Sequence, residues 1–94
     1  MVNNDYEAAK VDARHNGFYQ QWKNKRTPEV EKSIKSLREQ INIHQEKIAN
    51  PWKYVDGNIT PRQAEALVKS YWPKEISNFE QQINILKGIL GERK

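Results

Sequence analysis

The chain has 94 residues, 16 Lys and Arg against 12 Asp and Glu, and no cysteine. That length suits one domain rather than two, and the missing cysteine excludes disulfides, thiol nucleophiles and Cys-ligated metals. No apolar run approaches the roughly 18 residues a membrane-spanning helix needs, and Met1 to Asp12 lacks the basic-then-apolar order of a signal peptide. Leu, Ile, Val and Phe supply only 20 residues, near the level at which disorder competes with folding, but three Trp and four Tyr add enough buried area to argue for a core. The net charge of +4 arises from segments 1–26 and 51–74, each carrying +2, while 27–50 and 75–94 balance. Such an excess favours phosphate or an acidic partner, though a mild basic surplus also serves solubility.

At the N-terminus Tyr6, Ala9 and Ala13 fall on one side of an expected helix ending at Gly17, followed by Phe18, Trp22 and the basic run Lys23-Asn24-Lys25-Arg26. Thr27-Pro28-Glu29 then carries the marks of a helix start: Thr to cap free amides, Pro at the first helical position, and Glu29 and Glu31 against the positive end of the dipole. Val30, Ile34, Leu37, Ile41, His44 and Ile48 recur at steps of four and three, which places them on one face of a long helix. Asn50-Pro51 stops it, because a residue before Pro is pushed out of helical geometry.

Residues 51–60, with Asp56-Gly57-Asn58, read as a loop with aromatic anchors. Thr60-Pro61-Arg62-Gln63 repeats the Thr-Pro opening and adds a Gln three residues after the cap, a capping box. The short helix that follows is expected to bury Ala64, Leu67, Val68 and Tyr71. Pro73 begins a second long helix in which Ile76, Phe79, Ile83, Leu86 and Leu90 form a stripe, with Gly91 as its C-terminal cap. The expected fold is a small all-α bundle: a helical segment over about 5–26, long helices over 27–50 and 73–91 packed as an antiparallel pair, and a connecting helix over 61–72.

His44 occupies a core position of an otherwise aliphatic stripe, so something must satisfy its ring nitrogens. One reading is a partly buried histidine bonded to a carbonyl or a Tyr; the other is a general acid or base in a cleft between helices. His15, three residues after Asp12, is either oriented by that carboxylate or is a cation favourable to a helix end. If the two histidines meet, one deprotonates a ribose hydroxyl while the other protonates the leaving oxygen, which is metal-independent RNA cleavage. Lys47, one helical turn after His44, is placed to stabilise phosphorane charge or is a solvated flank.

Trp22 with Lys23, Lys25 and Arg26 joins an aromatic plane to cations, as a site for single-stranded nucleic acid would, and Arg62 is a further candidate cation. Basic helix-end loops are common, so the pattern has low specificity. The sequence has no phosphate-cradling Gly-rich loop, no Gly-x-Ser-x-Gly elbow and no His-Glu-x-x-His helix, and its two histidines lack any metal-ligand spacing. Neither a cofactor nor a metal is expected.

The run Lys32-Ser33-Ile34-Lys35-Ser36-Leu37, continued by Ile41, His44, Lys47, Ile48, Asn50 and Pro51, resembles a domain at the extreme C-terminus of large bacterial polymorphic toxins. These are the Rhs and filamentous-haemagglutinin proteins of contact-dependent competition. His15-Asn16-Gly17, Pro61-Arg62-Gln63, Trp72-Pro73 and Glu75-Ile76 extend the likeness, which covers about Asp12 to Leu90. The resemblance implies an effector delivered by a secreted or surface-borne parent chain into the cytoplasm of a neighbouring cell and neutralised by a cognate immunity protein. Many such domains are nucleases, and a nuclease acting on RNA is the expected activity. A non-catalytic helical module that binds protein or nucleic acid is the alternative. An immunity protein is disfavoured by the basic charge.

Overall fold

The computed structural model describes residues 3–11, 13–55 and 57–93, and among these there are helices and turns but no strand. Five helices follow in order: α1 (Asn4–Val11), α2 (Ala13–Trp22), α3 (Thr27–Ala49), α4 (Pro61–Ala66) and α5 (Trp72–Glu92). A 3₁₀ turn, Pro51–Lys53, follows α3, and a π-helical turn, Leu67–Tyr71, joins α4 to α5. The expectation of an all-α fold is met.

The core gathers on α5, which packs against both α3 and α1, with α2 also touching it. Val30, Ile85 and Leu86 are fully shielded from solvent and Ile89 nearly so. Each such side chain contributes about 1.5–3 kcal/mol by leaving water. From α3 the stripe delivers Val30, Ile34 and His44 as buried residues, while Leu37 and Ile41 pack partly buried against the cluster. Tyr6 and Ala9 close the other side from α1. The single stripe expected on α5 is therefore too narrow: Ile85 and Ile89 are buried as well, because α5 has neighbours on more than one face.

Local chemistry fixes several boundaries. Thr60 Oγ1 accepts from the Gln63 amide at 3.1 Å, and Gln63 Oε1 accepts from the Thr60 amide at 2.9 Å, completing the capping box at α4. Asn50 caps the end of α3 beside Pro51. At the start of α3 the expected Thr27 cap is replaced. Arg26 holds the N-cap position without a side-chain bond, and Thr27 Oγ1 instead accepts from Arg93 Nη1 at 2.9 Å. That exchange became possible because the end of α5 lies there, with Arg93 also donating to the Lys25 carbonyl at 2.5 Å.

Two glycines expected to end helices lie inside them: Gly17 in α2 and Gly91 in α5, and no residue among those described has positive φ. Helix packing outweighs the roughly 1 kcal/mol that Gly costs in a helix relative to Ala. Asp12, Asp56 and the side chain of Ala13 lie outside the described residues, and the expected contact between Asp12 and His15 falls there with them.

The π turn explains the largest departure from the sequence pattern. At α-helical spacing Tyr71 shares a face with Ala64, Leu67 and Val68, yet it is 60% exposed, and Trp72 is buried instead, at 6%. Here the Trp72 amide donates to the Leu67 carbonyl, five residues back, so the turn holds one extra residue and the phase of the helix slips by one position. The slip immediately precedes Pro73, which has no N–H to donate and whose ring would crowd the preceding turn of a regular helix. The chain thus passes from α4 to α5 in helical geometry, without the break expected at Pro73.

Candidate functional site

His44 is 6% exposed, on α3, facing α5. Its Nδ1 lies 2.8 Å from the Gln40 carbonyl, and since a carbonyl only accepts, Nδ1 carries a proton. Nε2 bonds the Glu75 carboxyl at the start of α5. The edge of Phe79 packs on the imidazole, with ring centroids 5.2 Å apart. Both nitrogens of His44 are thereby committed, and the ring itself has no face open to a ligand. Glu75 differs: its side chain is 39% exposed and reaches solvent.

His15, half-buried on α2, bonds Gln81 of α5 through Nε2 at 2.8 Å. The two histidines are not bonding partners of each other. What they share is a groove of about 390 Å³ along the first half of α5, whose walls include both Glu75 and Gln81. Arg14, Lys74 and Asn78 line the same groove, and Tyr71 forms one edge. Each histidine therefore stands one hydrogen bond behind the wall of a single polar cleft that holds two cationic side chains, a carboxylate and two amides.

Lys47, expected beside His44, has its ammonium 5.9 Å from the Trp72 ring centroid, over the aromatic face. It is not among the residues lining the groove, where Lys74 is the nearer counterpart. The sequence pattern assigns no site role to Lys74, Glu75, Tyr71 or Gln81. A signal was present: Lys74, Asn78 and Gln81 form a polar stripe at helical spacing beside the apolar one, but nothing local marks such a stripe as a cleft rather than a solvated face.

The second expected cluster forms a different surface. Trp22 packs half-buried against the core, the Lys25 ammonium lies 5.8 Å from its ring centroid, and Trp22, Lys25 and Lys32 border a shallow groove of about 340 Å³. Lys23, Lys25 and Arg26 are exposed, and Arg93 holds the loop through the Lys23 and Lys25 carbonyls. The two surfaces share α2: Arg14 lines the first groove and Trp22 the second, eight residues and about 12 Å apart along that helix at 1.5 Å per residue. Arg62 is exposed at the start of α4 and lines neither groove.

Among the described residues no group of three or more His, Asp or Glu side chains is placed to hold a metal ion, and no helix is long and apolar enough to cross a membrane. Comparison of the chain with protein-family models, curated proteins and solved structures finds no match.

Proposed function

We propose that this chain is an effector domain of the polymorphic-toxin kind that cleaves RNA in the cytoplasm of a target cell and is held in check by a cognate immunity protein. The groove on α5 is the site of the reaction. The observation that carries the reading is the convergence of both histidines on its wall, through Glu75 and Gln81. On the same reading the two long helices form an antiparallel pair, supported by the Arg93–Thr27 bond at one end and the His44–Glu75 bond at the other.

The chemistry follows from exposure. Glu75 is the group that meets the substrate, and His44 is its positioning residue, locked by the Gln40 carbonyl behind it. The Glu75 carboxylate takes the proton of a ribose 2′-hydroxyl as that oxygen bonds to phosphorus. The bond from phosphorus to the 5′ oxygen then breaks, and His15, exchanging its Gln81 bond for one to the substrate, supplies the proton that the leaving oxygen needs. The products are a 2′,3′-cyclic phosphate and a 5′-hydroxyl. Lys74 and Arg14 stabilise the negative charge that builds on the non-bridging oxygens.

The test is incubation of purified protein with total RNA, tRNA and plasmid DNA, with and without chelator, beside Glu75→Gln and His15→Ala. RNA cut to cyclic-phosphate ends despite chelation, and lost in both variants with helicity retained, is the expected result. Intact RNA under every condition refutes the reading.

A second reading, a binding module without turnover, is favoured by one observation, the full engagement of both His44 nitrogens in a buried position. It expects RNA binding that weakens steeply with salt and no cleavage.

A further inference from the structure

Behind Tyr71 lies a second groove, of about 530 Å³, whose walls are mostly apolar and include Ile59, Ala66 and Leu67. Tyr71 and Lys74 line both grooves, so the exposed Tyr71 ring is the ridge between a cationic polar cleft and an apolar one. Two polar side chains, Gln63 and Ser70, also line the apolar side. Gln63 is held in place, because its Oε1 already accepts from the Thr60 amide at 2.9 Å in the capping box. The amide NH₂ is what remains for a ligand at that wall, a donor fixed by the helix start itself.

We infer that the apolar groove is a nucleobase subsite: it receives one unstacked base of single-stranded RNA on the Tyr71 ring while the adjoining phosphate lies in the polar groove near Lys74. This inference rests on the RNA-directed reading of that groove. The requirements of such a ligand are those found side by side: an aromatic ring for stacking, a mostly apolar wall, a held donor for an oxygen or ring nitrogen on the base edge, and a cation that lines both grooves. The π turn is the device that provides the ridge, since the same slip that buries Trp72 turns Tyr71 outward. An apolar segment of a protein partner would fill the groove without needing the cation beside it, so the charge favours nucleic acid.

The experiment measures binding of the full chain to a short single-stranded RNA carrying 2′-fluoro in place of every 2′-hydroxyl, which keeps bases and phosphates but removes the nucleophile. A matched strand with one abasic position serves as the second probe. Tyr71→Ala should weaken binding about tenfold to hundredfold, Tyr71→Phe by less than about twofold, and the abasic strand should bind the native protein about as weakly as the intact strand binds Tyr71→Ala. Tyr71 is exposed, so neither variant threatens the core. Unchanged affinity in Tyr71→Ala, with native protein that still binds and cleaves RNA, overturns the subsite and leaves the proposed function standing. Absence of both RNA binding and RNA cleavage in the native protein removes the proposed function and the subsite with it.

Discussion

Replacing Gly by Ala in a helix ordinarily stabilises it by about 1 kcal/mol, through lower unfolded-state entropy and better helix propensity. Gly17 and Gly88 both lie inside helices, and the same substitution should act with opposite sign at the two. A methyl group on Gly17 meets nothing within 4 Å among the described residues, so Gly17→Ala should raise stability by about 0.5–1 kcal/mol. A methyl group on Gly88 would lie 2.1 Å from Tyr6 Cγ and 2.6 Å from Tyr6 Cβ. The Cβ atom is fixed to the α1 backbone, so rotating the ring does not relieve the clash and α1 itself must move away from α5. Overpacking of this kind costs about 1–3 kcal/mol, and part of the burial of Tyr6 and Ala9 is lost with it.

The burial lost from Tyr6 and Ala9, about 1 kcal/mol, offsets the propensity gain, so Gly88→Ala should destabilise by about 1–3 kcal/mol, which for a chain of this size lowers the melting temperature by on the order of 10 °C. Far-UV circular dichroism during thermal and urea unfolding of the three proteins reads both signs. A Gly88→Ala protein that melts at or above the native temperature would refute the close packing of α1 on α5 through Tyr6.

The other expectations concern polar groups. The hydroxyl of Tyr6 is buried and has no hydrogen-bond partner among the described residues, so Tyr6→Phe should stabilise the fold by about 1 kcal/mol, read as a higher urea midpoint at unchanged slope. The Tyr54 hydroxyl, then the Lys53 ammonium, hold the Glu46 carboxyl below its usual range, and Glu46 in turn raises the Tyr54 phenol above its own. A lowered carboxyl contributes fully above its unfolded value and loses that contribution as pH falls through the folded value; a raised phenol contributes below its unfolded value and loses it as pH rises through the folded one. The Pro51–Lys53 turn should therefore loosen from α3 at both pH extremes, seen as a shift of the Trp52 indole resonance. Glu46→Gln should abolish the acid limb while total helicity is unchanged.

Much of the fold was legible because its causes are local. Asn50-Pro51 ends α3, and the Thr60–Gln63 box starts α4, through bonds between residues three or four apart. The spacing of Val30, Ile34 and His44 marks the buried face of α3 for the same reason. The His44 anomaly was visible too, but its meaning was not, since Glu75 stands 31 residues away.

Sequence by itself determined that the chain is helical and which residues begin α4 and end α3, since hydrogen bonding within one turn depends only on near neighbours. Tertiary structure decided the rest. Ile85 and Ile89 are buried because α1 covers a face that the periodicity of α5 alone assigns to solvent. Thr27 gives up its capping role to accept from Arg93, and Gly17 and Gly91 stay helical because the helices they lie in are packed against the core. The slip of phase at Leu67–Tyr71 exchanges Trp72 for Tyr71 in the core, and with it sets which side chains border the groove. That groove is assembled from Arg14, Lys74, Glu75 and Gln81, on two helices that are far apart in sequence. Only packing brings such residues together, because the free energy that joins them comes from burying the faces of whole helices rather than from any preference of the residues themselves.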